Sequence, residues 1–434
     1  MRTVQPRYLA GLVICILAAS ATAQDSPVAS AQPQYKAEIA ALRQQPAVKA
    51  AMEHIVASEP RLLRELVELT EIPAPPFGED IRARRFAELL REAGLDDVTI
   101  DEVGNAIGRR PGTDGTRVVA YNAHLDTVFP PGTDVTVRHA DDRMYAPGIG
   151  DNTRGLVVVL AVLRALQDTG IRTKADILFV GNVGEEGLGD LRGVKHLFRD
   201  GAPKIDTLIA VDGGETDRIV YGGVGSHRYR VTFNGPGGHS WGAFGLANPH
   251  HALGRAIAIF AENAPAVTSV GEKTSYNVGR IGGGTSVNSI PFESWMEVDM
   301  RSGSQEKLDA IDGVLKAAVE QALREENAAR LEGDELTVDV KRVGTRPAAS
   351  GNSHSAVVQR ALAATEALGV DPDLRISSTD ANLPLSLGIP AVTMSRGGIS
   401  GNSHSPEEWW QNVDGHVGIQ IGLLTLLAEA GIAE

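Results

Sequence analysis

The chain has 434 residues, of which 42% are apolar and 22% charged, and its 41 Lys+Arg against 55 Asp+Glu give a net charge of −14. These values exclude a collagen-like chain, a mostly disordered one and a polytopic membrane protein, since only one apolar run of note exists. An acidic chain repels phosphate backbones, which argues against a nucleic-acid partner. The length exceeds the roughly 250–300 residues that one core serves, so two domains are expected. The single cysteine, Cys15, excludes an internal disulfide framework and a cysteine-rich zinc site.

In chain order, the first segment reads as an address. Arg2 and Arg7 precede an apolar run from Leu9 to Ala19, and Ala21-Thr22-Ala23 follows. That is a signal peptide, 1–23, cleaved after Ala23. The run is shorter than the ~20 residues of a spanning helix, and Ile14 stands before Cys15 where lipid attachment needs a small residue. Cleavage leaves a cysteine-free chain of net charge −16, because Arg2 and Arg7 leave and no acid does. The expectation is an exported protein, periplasmic or secreted, with no stable membrane insertion.

Residues 24–36 are Ala/Ser/Pro/Gln-rich and read as a loose linker. Residues 37–70 read as helices, with Leu62, Leu63, Leu66 and Leu69 at helical spacing. Ile72-Pro-Ala-Pro-Pro-Phe-Gly78 breaks that pattern before a helix over 81–93. Apolar strands then alternate with helices: strands over 117–122, 176–183 and 207–211, and a strongly apolar helix over 156–166. This alternation indicates an α/β fold with an open, largely parallel sheet and helices on its faces. Near Ile219 the texture changes to strands over 229–233, 275–280 and 294–301 with helices over 249–260 and 305–329. That is the mixture of an α+β sandwich. The first texture returns near Gly351, with a helix over 356–368 and a strand over 391–395. A domain at 219–345 is therefore read as inserted into a catalytic domain made of 37–218 and 346–434.

Chemistry gathers at the strand ends. Strand 117–122 runs into His124-Leu-Asp126. Pro147-Gly-Ile-Gly-Asp151-Asn-Thr-Arg-Gly155 leads into the apolar helix. Strand 176–183 ends in Glu185-Glu186, strand 207–211 in Asp212, and His404 follows strand 391–395. In open α/β sheets, ligands collect outside the carboxyl ends of the strands, so five distant stretches can converge. Asp151, Glu186 and Asp212 bring three negative charges, with His124 and His404 neutral. Crowded carboxylates would be forced to take up protons. Two divalent cations and one bridging hydroxide cancel that charge. Asp151, on a glycine-flanked turn, suits the bridging ligand. Without thiolates, zinc is favoured, and cobalt or manganese also fits. Asp126 lies two residues from His124, on the same face of an extended segment, and can fix its tautomer.

The ordered set His-Leu-Asp-Thr-Val, Gly-Asp-Asn-Thr-Arg-Gly, Gly-Glu-Glu-Gly, Val-Asp-Gly and Asn-Ser-His-Ser resembles the M20 family of co-catalytic metallopeptidases. Within it, the chain is similar to the peptidase T-like di- and tripeptidases, from about residue 58 to the end. The resemblance implies one zinc on His124, Asp151 and Asp212 and another on Asp151, Glu186 and His404. It implies Glu185 as general base and a cis peptide between Asp151 and Asn152. Asn234-Gly-Pro-Gly-Gly-His239 resembles the family's lid or dimerisation-domain histidine, which often serves the partner subunit's site. A homodimer through the inserted domain follows from that likeness. The segments holding Asn288 and Asp299-Met-Arg301 resemble the family's substrate-binding segments. His239 could donate to an oxyanion and Arg301 could clamp a carboxylate.

His354 shares the pentapeptide Gly-Asn-Ser-His-Ser with His404. His404 is preferred because it follows a buried strand and precedes Pro406-Glu-Glu-Trp-Trp, as the family pattern requires. Glu215 lies close enough to Asp212 to compete for its role. Ser378-Thr-Asp380-Ala-Asn382 resembles a segment bordering the family's active site and is given a supporting role. The leading expectation is a hydrolase of small peptides. An N-acyl amino-acid deacylase or a carboxypeptidase would use the same metals and a similar Arg301. A non-catalytic envelope protein that binds metal or peptide would have no need of Glu185 beside all five ligands.

Overall fold

The computed structural model describes residues 30–433. The expected signal peptide, and the expected linker up to residue 29, lie outside the described residues. Among the described residues, no helix is long and apolar enough to cross a membrane. The linker reading fails at its end, because Pro33–Gln44 is a helix with proline in its first turn, where the missing N–H costs nothing. Ser30 Oγ and the Ala31 N–H donate to Glu366 Oε1 (2.6 and 3.0 Å), and the Gln32 N–H donates to Gln359 (2.8 Å). These bonds tie the segment to the helix Ala356–Ala367.

An eight-stranded mixed sheet forms the larger layer. Its order is Asp97–Ile100, Ala106–Arg110, Asp176–Asn182, Val118–His124, Thr207–Val211, Ala391–Met394, Arg218–Gly223 and Asp373–Ser377. The strands Asp176–Asn182, Val118–His124, Thr207–Val211 and Ala391–Met394 run parallel, so their carboxyl ends point the same way. Period-two alternation covers both faces. Val119, Tyr121 and Ala123 join the main core, while Ala120 faces a second cluster with Val180, Leu197 and Leu208. The helix Gly155–Asp168 is buried at every position from Gly155 to Leu166, which its apolar run from Leu156 to Leu163 requires, while Arg164 is buried against Glu65 at 2.5 Å. It lies between the sheet and the helices Pro46–Ala57 and Gly415–Ala430.

The strand Arg218–Gly223 belongs to this sheet, where it pairs with Ala391–Met394 and Asp373–Ser377. The chain therefore leaves the layer after Gly223, not at 219 as the change of texture suggests. Backbone pairing holds those residues, and composition does not report it. A four-stranded antiparallel sheet follows, in the order Thr274–Gly283, Glu293–Ser302, Gly225–Asn234 and Thr337–Arg346. The helices Pro249–Asn263 and Gln305–Ala329 cover one face and bury Val231, Phe233, Met296, Val298 and Met300. The other face carries Trp295, stacked on Arg230 (3.9 Å to the ring centroid), and Asp299.

One buried cation braces the loop that carries His124. Arg82 is fully buried on the helix Asp80–Glu92. It donates to the carbonyls of Ile72 (3.0 Å), Thr70 (3.2 Å) and Leu125 (2.9 Å). Burial lowers its guanidinium to about 10, against the opposing pull of Asp126. Replacing it leaves buried carbonyls unpaired. Arg82→Met is expected to lower unfolding free energy by about 2–5 kcal/mol in urea titrations. A loss below about 1 kcal/mol would mean that these carbonyls find other donors.

Candidate metal centre

Four of the ligand-bearing segments leave the carboxyl ends of the parallel strands. His124 ends Val118–His124, Glu185 and Glu186 follow Asp176–Asn182, Asp212 follows Thr207–Val211, and His404 lies beyond Ala391–Met394. Asp151 sits in the turn before Gly155–Asp168, joined to Asn152 by a cis peptide. The carboxamide of Asn152 donates to the Val211 carbonyl (2.8 Å), which fastens that turn beside Asp212.

These side chains form overlapping groups whose donor atoms lie within 4.8 Å of one another. One is His124, Asp151 and Asp212, another is Asp151, Glu186 and His404, and a third joins Glu185 to His124 and Glu186. Asp151 belongs to both: Oδ1 lies 3.3 Å from His124 Nε2, and Oδ2 lies 3.5 Å from His404 Nε2. His404 Nε2 also lies 3.0 Å from Glu186 Oε1. Its backbone is left-handed (φ +66°), a costly state for a side chain with Cβ and one found where a site imposes it. His124 Nδ1 meets the Asp126 backbone carbonyl at 3.0 Å and its carboxylate at 3.5 Å. The Asp126 carboxylate accepts the N–H groups of Glu185 (3.0 Å) and Glu186 (2.7 Å). Asp126 thus shapes the Glu185–Glu186 loop as well as orienting His124.

The electrostatics report crowding. Burial raises Asp212, and Asp151 raises it further. Burial holds the Glu185 carboxyl well above its usual range, with Arg346 opposing and Glu186 adding to the rise. Burial opposes a charge on His124, yet Asp126 and Asp151 outweigh it and lift the imidazole well above its ordinary value. Hydrogen bonds to Asp151 and Glu186 raise His404 to about 10. Carboxylates outnumber the two buried guanidinium groups beside them, Arg346 and Arg396. His124 Nε2 is buried without a hydrogen-bond partner. Oxygen and imidazole donors in overlapping groups, with excess negative charge, fit divalent cations.

Other residues arrive by routes that the sequence hides. Arg346, at the end of Thr337–Arg346, donates to Glu185 Oε1 (2.7 Å), to the Glu185 carbonyl and to Ser378 Oγ (2.9 Å). Buried Glu408 accepts the N–H groups of Gly148, Gly150 and Asp151 (3.0, 2.9 and 2.7 Å). Burial and neighbouring Asp151 raise it to about 7. Asp380 accepts from Asn122 and Asn182 at 2.8 Å each and is raised to about 6 by burial. Glu408 stands inside the quoted Pro406-Glu-Glu-Trp-Trp run, so a signal for it existed. Arg346 has none beyond its place at a strand end before Pro347.

Arg301 lines the cavity over this cluster, as does exposed Glu215, which joins neither ligand group. His239 and Asn288 do not line it. They lie exposed on a two-stranded ribbon of the inserted layer, where Gly238–His239 pairs with Ser289–Ile290. His354 is also exposed and meets Gln32 at 3.3 Å, away from the ligands.

The family model for peptidase family M20/M25/M40 matches residues 120–428. The chain belongs to that family of hydrolases, and its acid–imidazole cluster suits divalent metal. Among particular relatives, the uncharacterized protein YqjE of Bacillus subtilis is 27% identical over 355 residues, covering 79% of this chain and 91% of its own. The crystal structure of aminopeptidase PepT from Bacillus cereus is similar with a TM-score of 0.67 and 24% identity, covering 85% of this chain and 98% of its own. A tripeptidase from Staphylococcus aureus gives 0.68 and 22%, covering 86% and 99%. These likenesses establish the fold, a peptidase T-like α/β catalytic layer with an inserted α+β layer.

Metal uptake has a protonic signature. At pH 7 an imidazole with a pKa near 10 carries a proton, and a cation takes only the neutral ring. Zinc titrated into metal-free chain at pH 7 is therefore expected to release protons. Apparent affinity rises with pH as His404 loses its charge. Calorimetry in buffers of different ionisation enthalpy reads the release, and a heat independent of buffer contradicts this electrostatic picture.

Proposed function

We propose that the chain is an exported dinuclear-metal hydrolase that cleaves the amide bonds of small peptides. One observation carries the reading: Glu185 stands beside two three-residue groups that share Asp151. His124, Asp151 and Asp212 would hold one divalent cation, and Asp151, Glu186 and His404 the other. Zinc is favoured by the donors, with cobalt and manganese as substitutes. When bound, such cations acidify water and polarise a carbonyl.

The chain's own residues do the rest. Arg346 holds one Glu185 oxygen and leaves the other for water. Burial makes Glu185 a stronger base than a solvated carboxylate. Glu185 takes one proton as water oxygen attacks the amide carbon and gives it to the nitrogen as the C–N bond breaks. The second water proton leaves with the acid product and passes to the amine, so that a carboxylate and an ammonium are released. Arg301 would clamp a substrate carboxylate, and Asn288, which lies outside this cavity, would support substrate in a partner subunit's site. Asp126 keeps His124 in the ligating tautomer.

His239 would donate to the oxyanion of a partner subunit's reaction. Its exposure supports this, as do exposed Trp241 (87%) and Phe244 (75%), in the turn after the first ribbon strand, and Val287 (104%), in the turn before the second. Exposed large apolar side chains on both turns of the ribbon suit a homodimer interface. The same residues would serve an acyl amino-acid deacylase or a carboxypeptidase, a reading that the half-exposed Arg301 favours.

Glu185→Gln is expected to keep its metal and lose about 10²–10⁴-fold in kcat. Turnover and metal content measured together check this, and full activity refutes the base. Mixing Glu185→Gln with His239→Ala chains is expected to recover activity, whereas no recovery places His239 in its own subunit's reaction. Free tripeptides, N-blocked peptides and acyl amino acids separate the substrate readings. Blocked peptides cleaved faster than free ones displace the small-peptide assignment.

A further inference from the structure

The cavity over the cluster measures about 410 Å³, and five arginines line it: Arg218, Arg228, Arg301, Arg346 and Arg396. Three of them are committed. Arg346 holds Glu185 and Ser378. Arg228 donates to Asp299 (2.9 Å) and to the Gly187 carbonyl. Arg396 makes no hydrogen bond through Nε or Nη1, but Asp151 at 3.6 Å and Asp212 at 3.5 Å stand against its charge.

The other two keep donors that no acid of the ligand cluster faces within 4.0 Å. Arg301 uses Nε on Asp299 (2.7 Å), and its two Nη groups have no protein partner among the described residues. Asp299 thereby fixes the guanidinium and leaves its fork free for a carboxylate. Arg218 donates through Nη2 to Ser377 Oγ (2.9 Å), while its buried Nε has no partner. Among the described residues, no carboxylate lies within 4.0 Å of the Arg218 guanidinium. Gly213 makes room for it, since a Cβ there would stand 2.4 Å from Arg218 Nη1. The charge is thereby held against the Asp212 loop. A part-buried guanidinium with no carboxylate in contact, in a cavity that admits a ligand, can receive an anion.

The two arginines come from different layers, Arg218 from the large sheet and Arg301 from the inserted sheet. We propose that together they select amides whose departing amino acid carries two carboxylates, as aspartate and glutamate do. Arg301 takes the α-carboxylate and Arg218 the side-chain carboxylate. This inference rests on the hydrolase reading above for its reaction and adds Arg218 as the specificity-determining residue.

The test uses the full metal-loaded chain and substrate pairs that differ only in charge: Ala-Glu against Ala-Gln, Ala-Asp against Ala-Asn, and N-acetyl-glutamate against N-acetyl-glutamine. The acidic member is expected to have a kcat/KM about tenfold or more higher. Arg218→Gln is expected to collapse that ratio towards one, and Arg218→Lys to restore part of it. Free glutamate and glutamine titrated calorimetrically into metal-loaded Glu185→Gln chain, with and without Arg218→Gln, give a readout that needs no turnover. Amides cleaved without acidic preference, or a preference that survives Arg218→Gln, overturn the proposal. Preferred binding of glutamate through Arg218 without hydrolysis of any amide keeps the selection and sinks the hydrolase reading. Neither hydrolysis nor preferential binding sinks both.

Discussion

Carboxylates crowded at the ends of parallel strands are the constraint on which the site depends. At low dielectric, like charges a few ångströms apart repel strongly, and burial first, then the neighbouring acids Asp151 and Glu186, raise the affinity of Asp212 and Glu185 for protons. The fold answers in two ways before any cation is considered. Non-ligating carboxylates accept backbone N–H groups at the roots of the ligand loops: Asp126 those of Glu185 and Glu186, Glu408 those of Gly148, Gly150 and Asp151. Buried guanidinium groups then stand against the rest. Each of these ligand loops is shaped by an acid that is not among the ligands proposed for the metals. That is the support a metal site needs to hold its donors in place.

The same economy joins the two layers. The segment after Glu186 is gripped from the inserted layer. Asp190 accepts the Thr345 N–H (2.8 Å), Lys195 reaches both Asp190 (2.6 Å) and the Thr345 carbonyl (2.8 Å), and Arg228 reaches the Gly187 carbonyl. Both crossings between layers are clipped by one residue, since Asn382 Nδ2 donates to the Val224 carbonyl (2.8 Å) and the Pro347 carbonyl (3.1 Å). The Ser378–Asn382 run thus braces Arg346, buttresses Asn122 and Asn182 through Asp380, and fastens the hinge. A displacement of the inserted layer would be felt at Glu185 through Arg346.

What the sequence made legible follows from short-range rules. Period-two alternation put Met296, Val298 and Met300 in the core, and strand ends carried the titratable residues that meet at the site. What it concealed depends on contacts between remote residues. Arg218–Gly223 looks like the start of a new domain by composition, and only pairing with strands more than 150 residues later returns it to the large sheet. Arg82, Arg346 and Arg396 are charged side chains that a linear reading assigns to solvent. Each is buried because several distant acceptors surround it at once. His239 and Asn288 show the converse. Their motif is plain in the sequence, yet the ribbon that carries them presents them outward, and neither lines the cavity over the ligands.

Global and local charge pull in opposite directions. A chain of net charge −14 repels anions at long range, but salt screens that field beyond a Debye length of about 8 Å at physiological ionic strength. Inside the cavity the near field decides. There, Arg218 and Arg301 lie beside acids whose charge metal ions would neutralise. The cavity would then become more cationic on metal uptake, with Arg218 and Arg301 among the groups that line it. Recognition of an acidic substrate would therefore be coupled to loading of the site, because the same acids that collect the cations would repel the substrate in their absence.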